Sequence, residues 1–258
     1  MDSSLLEDYA DRSRALDLSG IDWRAVSRHR MPAEALRTLR YMQDIETHTI
    51  VYLRELLATR AIDEPEVNDF LSCWIFEEAA HGRALHRFLR ASGETIVQRR
   101  RSELSAGQRF QERMIALVSR YWRDFVAVHM TWGAINELTT LQGYNRLAKL
   151  AAHPVLSELL ARIGRDESRH FAFYFHQAGL RLARPRVAPV VRFLLRRFWS
   201  PVGSGVQPAA ETRFLGHYLF DGDEGRVAAR KIDQTIRSLP GLDDLPLIEM
   251  WLQRTAVA

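Results

Sequence analysis

A pattern of carboxylates and histidines occurs twice in this chain of 258 residues and restricts the folds that it can adopt. Each copy has a single glutamate followed by a Glu-x-x-His step: Glu46, Glu78 and His81 in the first copy, and Glu137, Glu167 and His170 in the second. The two glutamates are 32 residues apart in the first copy and 30 in the second. Residues three apart share one face of a helix, so each step can direct both side chains towards one point. The repeat predicts a duplicated pair of helices.

Hydrophobic periodicity favours helices around all six residues. Apolar residues recur at spacings of three and four from Leu36 to Leu57. We expect helices from about residue 32 onwards, from about 65 to 92, from about 108 to 152 and from about 154 to 182, with almost no strand signal. Beyond residue 184 the chain is repeatedly interrupted by proline and glycine, which predicts shorter helices and a loop at 200–208.

The setting of Glu137 indicates that these glutamates lie inside the fold. It is the only formally charged residue between positions 125 and 145. A buried carboxylate must be protonated, paired or bound to a metal. Glu78 and His81 also follow an apolar stretch that contains Trp74. Four carboxylates and two imidazoles from four helices are the ligand set of a carboxylate-bridged di-iron centre, and manganese accepts the same ligand types.

Other polar residues near this pattern have more ordinary interpretations. Glu77 points about 100° away from Glu78 on a helix, so we expect it in solvent or beside a ligand side chain. We expect His48 at a surface or an interface, and His129 as a core histidine with its hydrogen bonds satisfied. The single cysteine, Cys73, is expected to be a small core residue, and a lone cysteine suits a reducing, cytoplasmic location.

Composition argues against several other classes of protein. The chain is 47% hydrophobic and 26% charged with a net charge of +4, which is typical of a globular protein. Its first residues do not predict a secretory signal, and no stretch predicts a membrane span. Two arginine runs, one at residues 99–101 and one formed by Arg192, Arg196 and Arg197, are either solvated faces or sites that attract an acidic partner. No nucleic-acid-binding motif is present.

The residues around the repeated pattern resemble those of the soluble acyl-carrier-protein desaturases, a ferritin-like di-iron family. Residues 74–82 resemble the family's W-x-x-E-E-x-x-H-G signature, and residues 166–170 resemble its D-E-x-R-H signature. Glu137 and Thr140 resemble the family's glutamate with a threonine one turn later. The likeness covers about residues 36–180.

This resemblance implies a ferritin-like four-helix bundle with additional C-terminal helices, in a single domain over residues 1–258. Its parts are expected to be an N-terminal segment at 1–31, the di-iron bundle at 32–183 and C-terminal helices at 184–258 packed on the bundle.

The resemblance also implies roles for residues. The six residues of the pattern would bind two iron ions, with Glu78 and Glu167 as bridging carboxylates and the other two glutamates as terminal ligands. Asp166 and Thr140 would orient ligands and handle protons beside the metals. The sequence departs from the family at 142–144, where the family often has a histidine and a glycine.

The activity implied by the resemblance is oxygen-dependent desaturation of an acyl chain on acyl carrier protein. A ferredoxin-like electron donor, a homodimer, and an apolar tunnel lined by Phe171, Tyr174 and the third helix are expected with it. Two alternatives stay open. One is a di-iron oxygenase that N-oxygenates, hydroxylates or oxidatively cleaves a small metabolite, and the other is a ferritin-like iron-oxidising protein.

Overall fold

The computed structural model describes residues 9–57, 59–95, 122, 124–204 and 207–256. Over these residues the protein is all-α, as the sequence predicts. The one β-type contact in the described part is an isolated bridge between Ser204 and Gln207.

Four long helices form the centre of the fold. They are α1 (Ala33–Leu57), α2 (Pro65–Ala91), α3 (Phe125–Ala151) and α4 (Pro154–Leu182). Helix α1 packs mainly on α2, and α3 packs mainly on α4. The predicted boundaries agree closely for three of these helices. The expected start of the third helix near residue 108 lies outside the described residues.

Local chemistry explains where the helices begin and end. Pro65 and Pro154 occupy the first turns of α2 and α4, where their missing N–H groups have no partner to lose. Ala152 ends α3 in the left-handed conformation, with φ of 48°. The next residue, His153, accepts a hydrogen bond on Nδ1 from the backbone N–H of Leu156 at 3.2 Å. This capped corner makes α3 and α4 direct neighbours.

Four shorter helices follow: α5 (Ala188–Phe198), α6 (Ala209–Phe220), α7 (Gly222–Arg237) and α8 (Leu247–Thr255). Helices α5, α6 and α7 each pack on α3, and α6 also packs on α1. The buried carboxylate of Asp233 accepts the N–H groups of Ile248 and Glu249 at 2.9 and 3.0 Å, which caps α8 onto α7. Apolar residues of all eight helices belong to one hydrophobic cluster. The single-domain assignment stays a prediction.

The N-terminal segment also reaches the bundle. Tyr9 lies on a short helical turn and is buried, with its ring 4.9 Å from that of Phe70 and 6.3 Å from that of Phe173. The rings of Phe70 and Phe173 stack at 3.8 Å, which joins α2 to α4. Tyr9 is therefore part of the core.

Two further expectations concern membranes and basic surfaces. In the part of the chain that the structure describes, no helix combines the length and apolarity needed to cross a bilayer. The arginines at 99–101 lie outside the described residues. On α5, Arg192 pairs with Asp244, while Arg196 and Arg197 are exposed.

Candidate metal centre

The four long helices bring all six residues of the repeated pattern together. Their potential ligand atoms form two groups, and within each group these atoms all lie within 4.8 Å of one another. The first group is Glu46, Glu78, His81 and Glu167, and the second is Glu78, Glu137, Glu167 and His170. All six side chains are buried. Because Glu78 and Glu167 belong to both groups, they lie between two adjacent ligand sets.

The Nδ1 atom of each histidine faces the carboxylates. In the first group, His81 Nδ1 lies 3.3 Å from Glu167 Oε1, 3.9 Å from Glu78 Oε1 and 4.0 Å from Glu46 Oε2. The first group thus draws on α1, α2 and α4.

The second group repeats this arrangement on α2, α3 and α4. Here His170 Nδ1 lies 3.0 Å from Glu78 Oε1, and 3.6 Å from both Glu137 Oε2 and Glu167 Oε2. Both groups therefore combine two shared glutamates with one terminal glutamate and one imidazole.

The Nε2 atom of each histidine contacts a carboxylate on the outer side of the cluster. His81 Nε2 lies 3.1 Å from Asp166 Oδ2, and His170 Nε2 lies 2.8 Å from Glu77 Oε2. Asp166 and Glu77 each directly precede a shared glutamate, so each Glu-x-x-His helix orients the histidine of the other. Such contacts hold a ring in the orientation and tautomer that leave Nδ1 free for a metal. Glu77, expected in solvent or beside a ligand side chain, is buried beside a ligand candidate.

Two further donors fix Glu77. Arg169 donates to Glu77 Oε1 at 2.7 Å and also pairs with Asp166 Oδ1 at 2.8 Å. The hydroxyl of Tyr9 donates to Glu77 Oε2 at 2.8 Å. Sequence reasoning missed Tyr9 and Arg169 as neighbours of the site. The arginine within the D-E-x-R-H segment was an available signal, whereas nothing near Tyr9 marks it.

The terminal glutamates are held by aromatic side chains. Tyr144 donates its hydroxyl hydrogen bond to Glu46 Oε1. Trp74 donates from Nε1 to Glu137 Oε1 at 3.1 Å. Both aromatic residues are buried. The departure at 142–144 thus places a tyrosine directly against the cluster.

Unpartnered atoms show that the donor set fits divalent cations. Among the described residues, no hydrogen-bond partner is present for five buried atoms: Glu46 Oε2, Glu78 Oε1, Glu167 Oε1 and the Nδ1 atoms of both histidines. Buried carboxylates and imidazoles in this condition are costly unless something compensates them. Two divalent cations with oxygen and nitrogen preference, such as iron or manganese, would satisfy these atoms. Assignment of the six residues as ligands stays a prediction.

The pKa values of ionisable side chains in the cluster are strongly shifted. Burial, followed by repulsion from Glu78 and Glu167, raises the pKa of Glu46 well above its ordinary value. Burial opposes charge on His81 as well, but the hydrogen-bonded carboxylate of Asp166 and the nearby carboxylate of Glu167 raise its pKa to about 9. The cluster without metal therefore retains protons at neutral pH, and metal binding would displace them.

Two cavities adjoin the cluster. The larger has a volume of about 440 Å³ and reaches all four glutamates of the repeated pattern. The smaller has a volume of about 60 Å³ and extends between α1, α3 and the C-terminal helices, where its walls include Trp199, Leu215 and Trp251. Thr140 and Glu46 border both cavities. The structure thus places Thr140 beside the carboxylates and between the two spaces.

A loop closes one side of this region. Residues 200–204 line the larger cavity, and Tyr41 donates a hydrogen bond to the carbonyl of Val202 at 2.7 Å. Gly203 has φ of 88° and approaches Tyr41 and Ile45 so closely that a Cβ would overlap their side chains. The C-terminal part of the chain therefore completes the cavity walls, which the sequence did not indicate.

Several expectations around the site are revised. Tyr174 lines the larger cavity as expected, but Phe171 borders neither cavity and instead contacts the ring of Phe175 at 5.1 Å. His48 is half-buried and also lines the larger cavity. The expectation of a satisfied His129 is wrong, because its Nε2 has no hydrogen-bond partner among the described atoms. Cys73 is partly buried against the core.

Comparison with known proteins identifies the family. A family model for fatty acid desaturases matches residues 48–186, which is more than half of the chain. This range contains five of the six residues of the repeated pattern, while Glu46 precedes it and is placed by geometry. No curated protein and no solved structure matches the chain. With its buried carboxylate and histidine cluster inside the matched helices, the chain belongs to the fatty acid desaturase family.

Proposed function

We propose that this protein is a di-iron, oxygen-dependent oxidoreductase that desaturates an acyl chain carried on acyl carrier protein. The observation that carries this proposal is the pair of overlapping ligand groups that share Glu78 and Glu167. Family membership supports an oxidoreductase that acts on a fatty acyl substrate. The buried, unpartnered donor atoms support metal binding.

The proposed ligand roles follow from the two groups. Glu78 and Glu167 would bind both ions, Glu46 and His81 would complete the first ligand set, and Glu137 and His170 would complete the second. When bound, two iron ions would activate dioxygen, which is reduced to water by two electrons from the acyl chain and two from an external donor. The protein holds the ions in a buried cluster and keeps water away from the reacting carbon atoms.

Residues around the ligands orient them and handle protons. Asp166 and Glu77 accept hydrogen bonds from the Nε2 atoms of the two histidines and so hold both imidazoles in place. Thr140 stands between the two cavities and lies one helical turn from Glu137. Its hydroxyl is proposed to accept and donate protons at the face of the cluster that the substrate reaches.

The cavities suit an acyl chain that passes the cluster. The smaller cavity has aliphatic and aromatic walls from α1, α3 and the C-terminal helices, and it opens beside Glu46 and Thr140. The larger cavity lies within the volume range of small-molecule sites, about 300–1,000 Å³. An extended apolar chain is proposed to cross the larger cavity and to place its end in the smaller one.

Partners complete the proposal. A ferredoxin-like donor would supply electrons, and the exposed Arg196 and Arg197 on α5 would attract the acidic carrier protein. A homodimer in the cytoplasm is proposed as well. Native mass measurement tests the dimer, and turnover with ferredoxin plus its reductase tests the donor.

Metal analysis and product analysis test the function directly. Iron-reconstituted protein should contain two iron ions per chain, and with a ferredoxin donor it should convert a saturated acyl carrier protein conjugate to an unsaturated one. Metal-free protein is the control for both measurements. Fewer than two metal ions per well-folded chain contradicts the centre, and an intact centre without an unsaturated product contradicts the reaction.

A second function is favoured by one observation in the larger cavity. Asn136 and Tyr174 line this cavity, and the side-chain amide oxygen of Asn136 and the hydroxyl of Tyr174 are buried without a hydrogen-bond partner among the described residues. Such groups suit a substrate with a polar group near the metals, as in N-oxygenation or hydroxylation of a small metabolite. Turnover under labelled dioxygen separates the functions, because an oxygenase incorporates the label into its product and a desaturase does not.

A further inference from the structure

Each terminal carboxylate of the centre has one oxygen engaged by an aromatic hydrogen-bond donor from another helix. Glu46 lies on α1 and accepts on Oε1 from Tyr144 of α3. Glu137 lies on α3 and accepts on Oε1 from Trp74 of α2, at 3.1 Å. The exposed fractions of Tyr144 and Trp74 are 1% and 4%, so both donors are almost fully enclosed by the protein.

The second oxygen of each terminal carboxylate faces the histidine of its own group. Glu46 Oε2 lies 4.0 Å from His81 Nδ1 and has no hydrogen-bond partner. Glu137 Oε2 lies 3.6 Å from His170 Nδ1. Each terminal carboxylate therefore turns one oxygen towards the ion position and one away from it.

The orientation of the two donors is itself fixed by packing. The indole of Trp74 makes edge contacts with the rings of Tyr52 and Tyr174, at centroid distances of 6.2 and 6.1 Å. Tyr144 is among the largest fully buried side chains. Neither donor can leave its carboxylate without moving a packed ring, which is costly in a dense core.

We propose that Tyr144 and Trp74 are positioning residues that limit Glu46 and Glu137 to one metal–oxygen bond each. A carboxylate that binds through both oxygens occupies two coordination positions of an ion, whereas one whose second oxygen is held by a donor and turned away from the ion has a single oxygen left to bind it. The two donors thereby keep a position open on each ion for an exogenous ligand. This inference rests on the metal centre of the proposed function.

Cobalt(II) loading and azide binding test the inference without turnover. The variants are Tyr144→Phe and Trp74→Phe, which remove the donors and retain an aromatic ring. Ligand-field absorption of cobalt(II) weakens as its coordination number rises. Each variant should bind two cobalt ions per chain, show weaker visible absorption than the wild type, and bind azide about tenfold more weakly because the freed oxygen competes for the open position.

Tyr218→Phe is the control. Tyr218 borders neither cavity, and its hydroxyl makes no hydrogen bond among the described residues. Loss of this hydroxyl should leave the cobalt spectrum and the azide affinity unchanged. Because the variants change the two terminal carboxylates separately, a folding defect in one, detected by circular dichroism, leaves the other as a test.

The outcomes separate this inference from the proposed function. Two cobalt ions per chain with a wild-type spectrum and wild-type azide affinity in both Tyr144→Phe and Trp74→Phe would overturn the inference and leave the metal centre standing. An equal change in Tyr218→Phe would also overturn it. Fewer than two cobalt ions in the wild type would remove the metal centre and this inference together.

Discussion

The half of the centre built on α1 and α2 and the half built on α3 and α4 carry the same ligand types in different surroundings. In both halves, the residue before the shared glutamate accepts a hydrogen bond from the histidine of the other half. Glu77, however, is fully buried and accepts from three side chains, whereas the side chain of Asp166 is 12% exposed and pairs with two. The repeated residues make the halves alike, and residues outside the repeat make them different.

The same contrast extends to the cavities. Glu46 borders both cavities, whereas Glu137 borders the larger one alone. The apolar walls contributed by the C-terminal helices thus reach the first half and not the second. Two ions with equal ligand sets would consequently face unequal surroundings, and substrate would approach them unequally.

The largest loss of bound metal is expected when one of the shared ligand residues is substituted. Glu167→Ala should remove both ions, because this carboxylate belongs to both groups, whereas Glu137→Ala should lose chiefly the ion of the second half. Metal content per chain measures the difference. Helix content by circular dichroism should stay nearly intact in both variants. Retention of two ions by Glu167→Ala would contradict the shared role.

Substitution of Glu77 and of Asp166, the two carboxylates that contact the histidines, should weaken metal binding to different extents. Losing such a partner typically weakens metal affinity about 10- to 100-fold. Metal affinity should fall about 100-fold in Glu77→Gln and about tenfold in Asp166→Asn, because Glu77 is more deeply buried and accepts from more donors. Competition with a chelator of known affinity measures both. A larger loss of metal affinity in Asp166→Asn than in Glu77→Gln would contradict the difference that we expect between the two halves.

The metal-free protein should become less stable as pH rises. The pKa of His81 is raised from 6.5 to about 9 in the folded state, so its contribution is fully present below pH 6.5 and is lost as pH rises through about 9. We expect the free energy of unfolding to fall by about 3 kcal/mol over this window. The raised pKa of Glu46 acts in the same direction.

Urea unfolding of chelator-treated protein at several pH values measures this effect. Asp166→Asn removes the hydrogen-bonded carboxylate of His81 and should flatten the pH dependence. A stability that rises between pH 6.5 and 9 in the wild type would be inconsistent with the assignment.

The smallest loss of stability is expected from substitution of Tyr9, which has no counterpart beside Asp166 in the described part of the chain. Tyr9→Phe removes the hydroxyl that donates to Glu77 and leaves the ring against Phe70. We expect a loss of about 1 kcal/mol in the free energy of unfolding, in the range of a buried hydrogen bond. Tyr218→Phe is the control, because the Tyr218 hydroxyl makes no hydrogen bond among the described residues. Equal losses in the two variants would mean that the Tyr9 bond contributes nothing.

Much of the bundle was predictable because its signals are local. The prolines at 65 and 154 and the apolar periodicity of α1 place helix boundaries within a few residues of those observed. The burial of Glu137 was predictable because no other charge occurs in its segment. Local periodicity and local charge are properties of a few helical turns, so the sequence carries them directly.

The surroundings of the cluster were not predictable, because they are formed by contacts between distant segments and not by local patterns. Tyr9, Tyr144 and Trp251 reach the site or its cavities from distant parts of the chain, and each is an ordinary core residue by its neighbours in sequence. His129 has apolar neighbours that predict a satisfied core histidine, yet its Nε2 has no partner among the described atoms. Contacts between distant segments depend on how the helices dock.

By itself, the sequence determined which residues are able to form the cluster, because a Glu-x-x-His step places both side chains on one helix face and a solitary charge in an apolar helix faces inward. The tertiary structure alone decided which oxygen atoms face the cluster, which donors hold the others, and which walls enclose the cavities. Those properties depend on the docking of α1 to α8 and on the side-chain rotamers that this docking permits. Neither is encoded within any single helix.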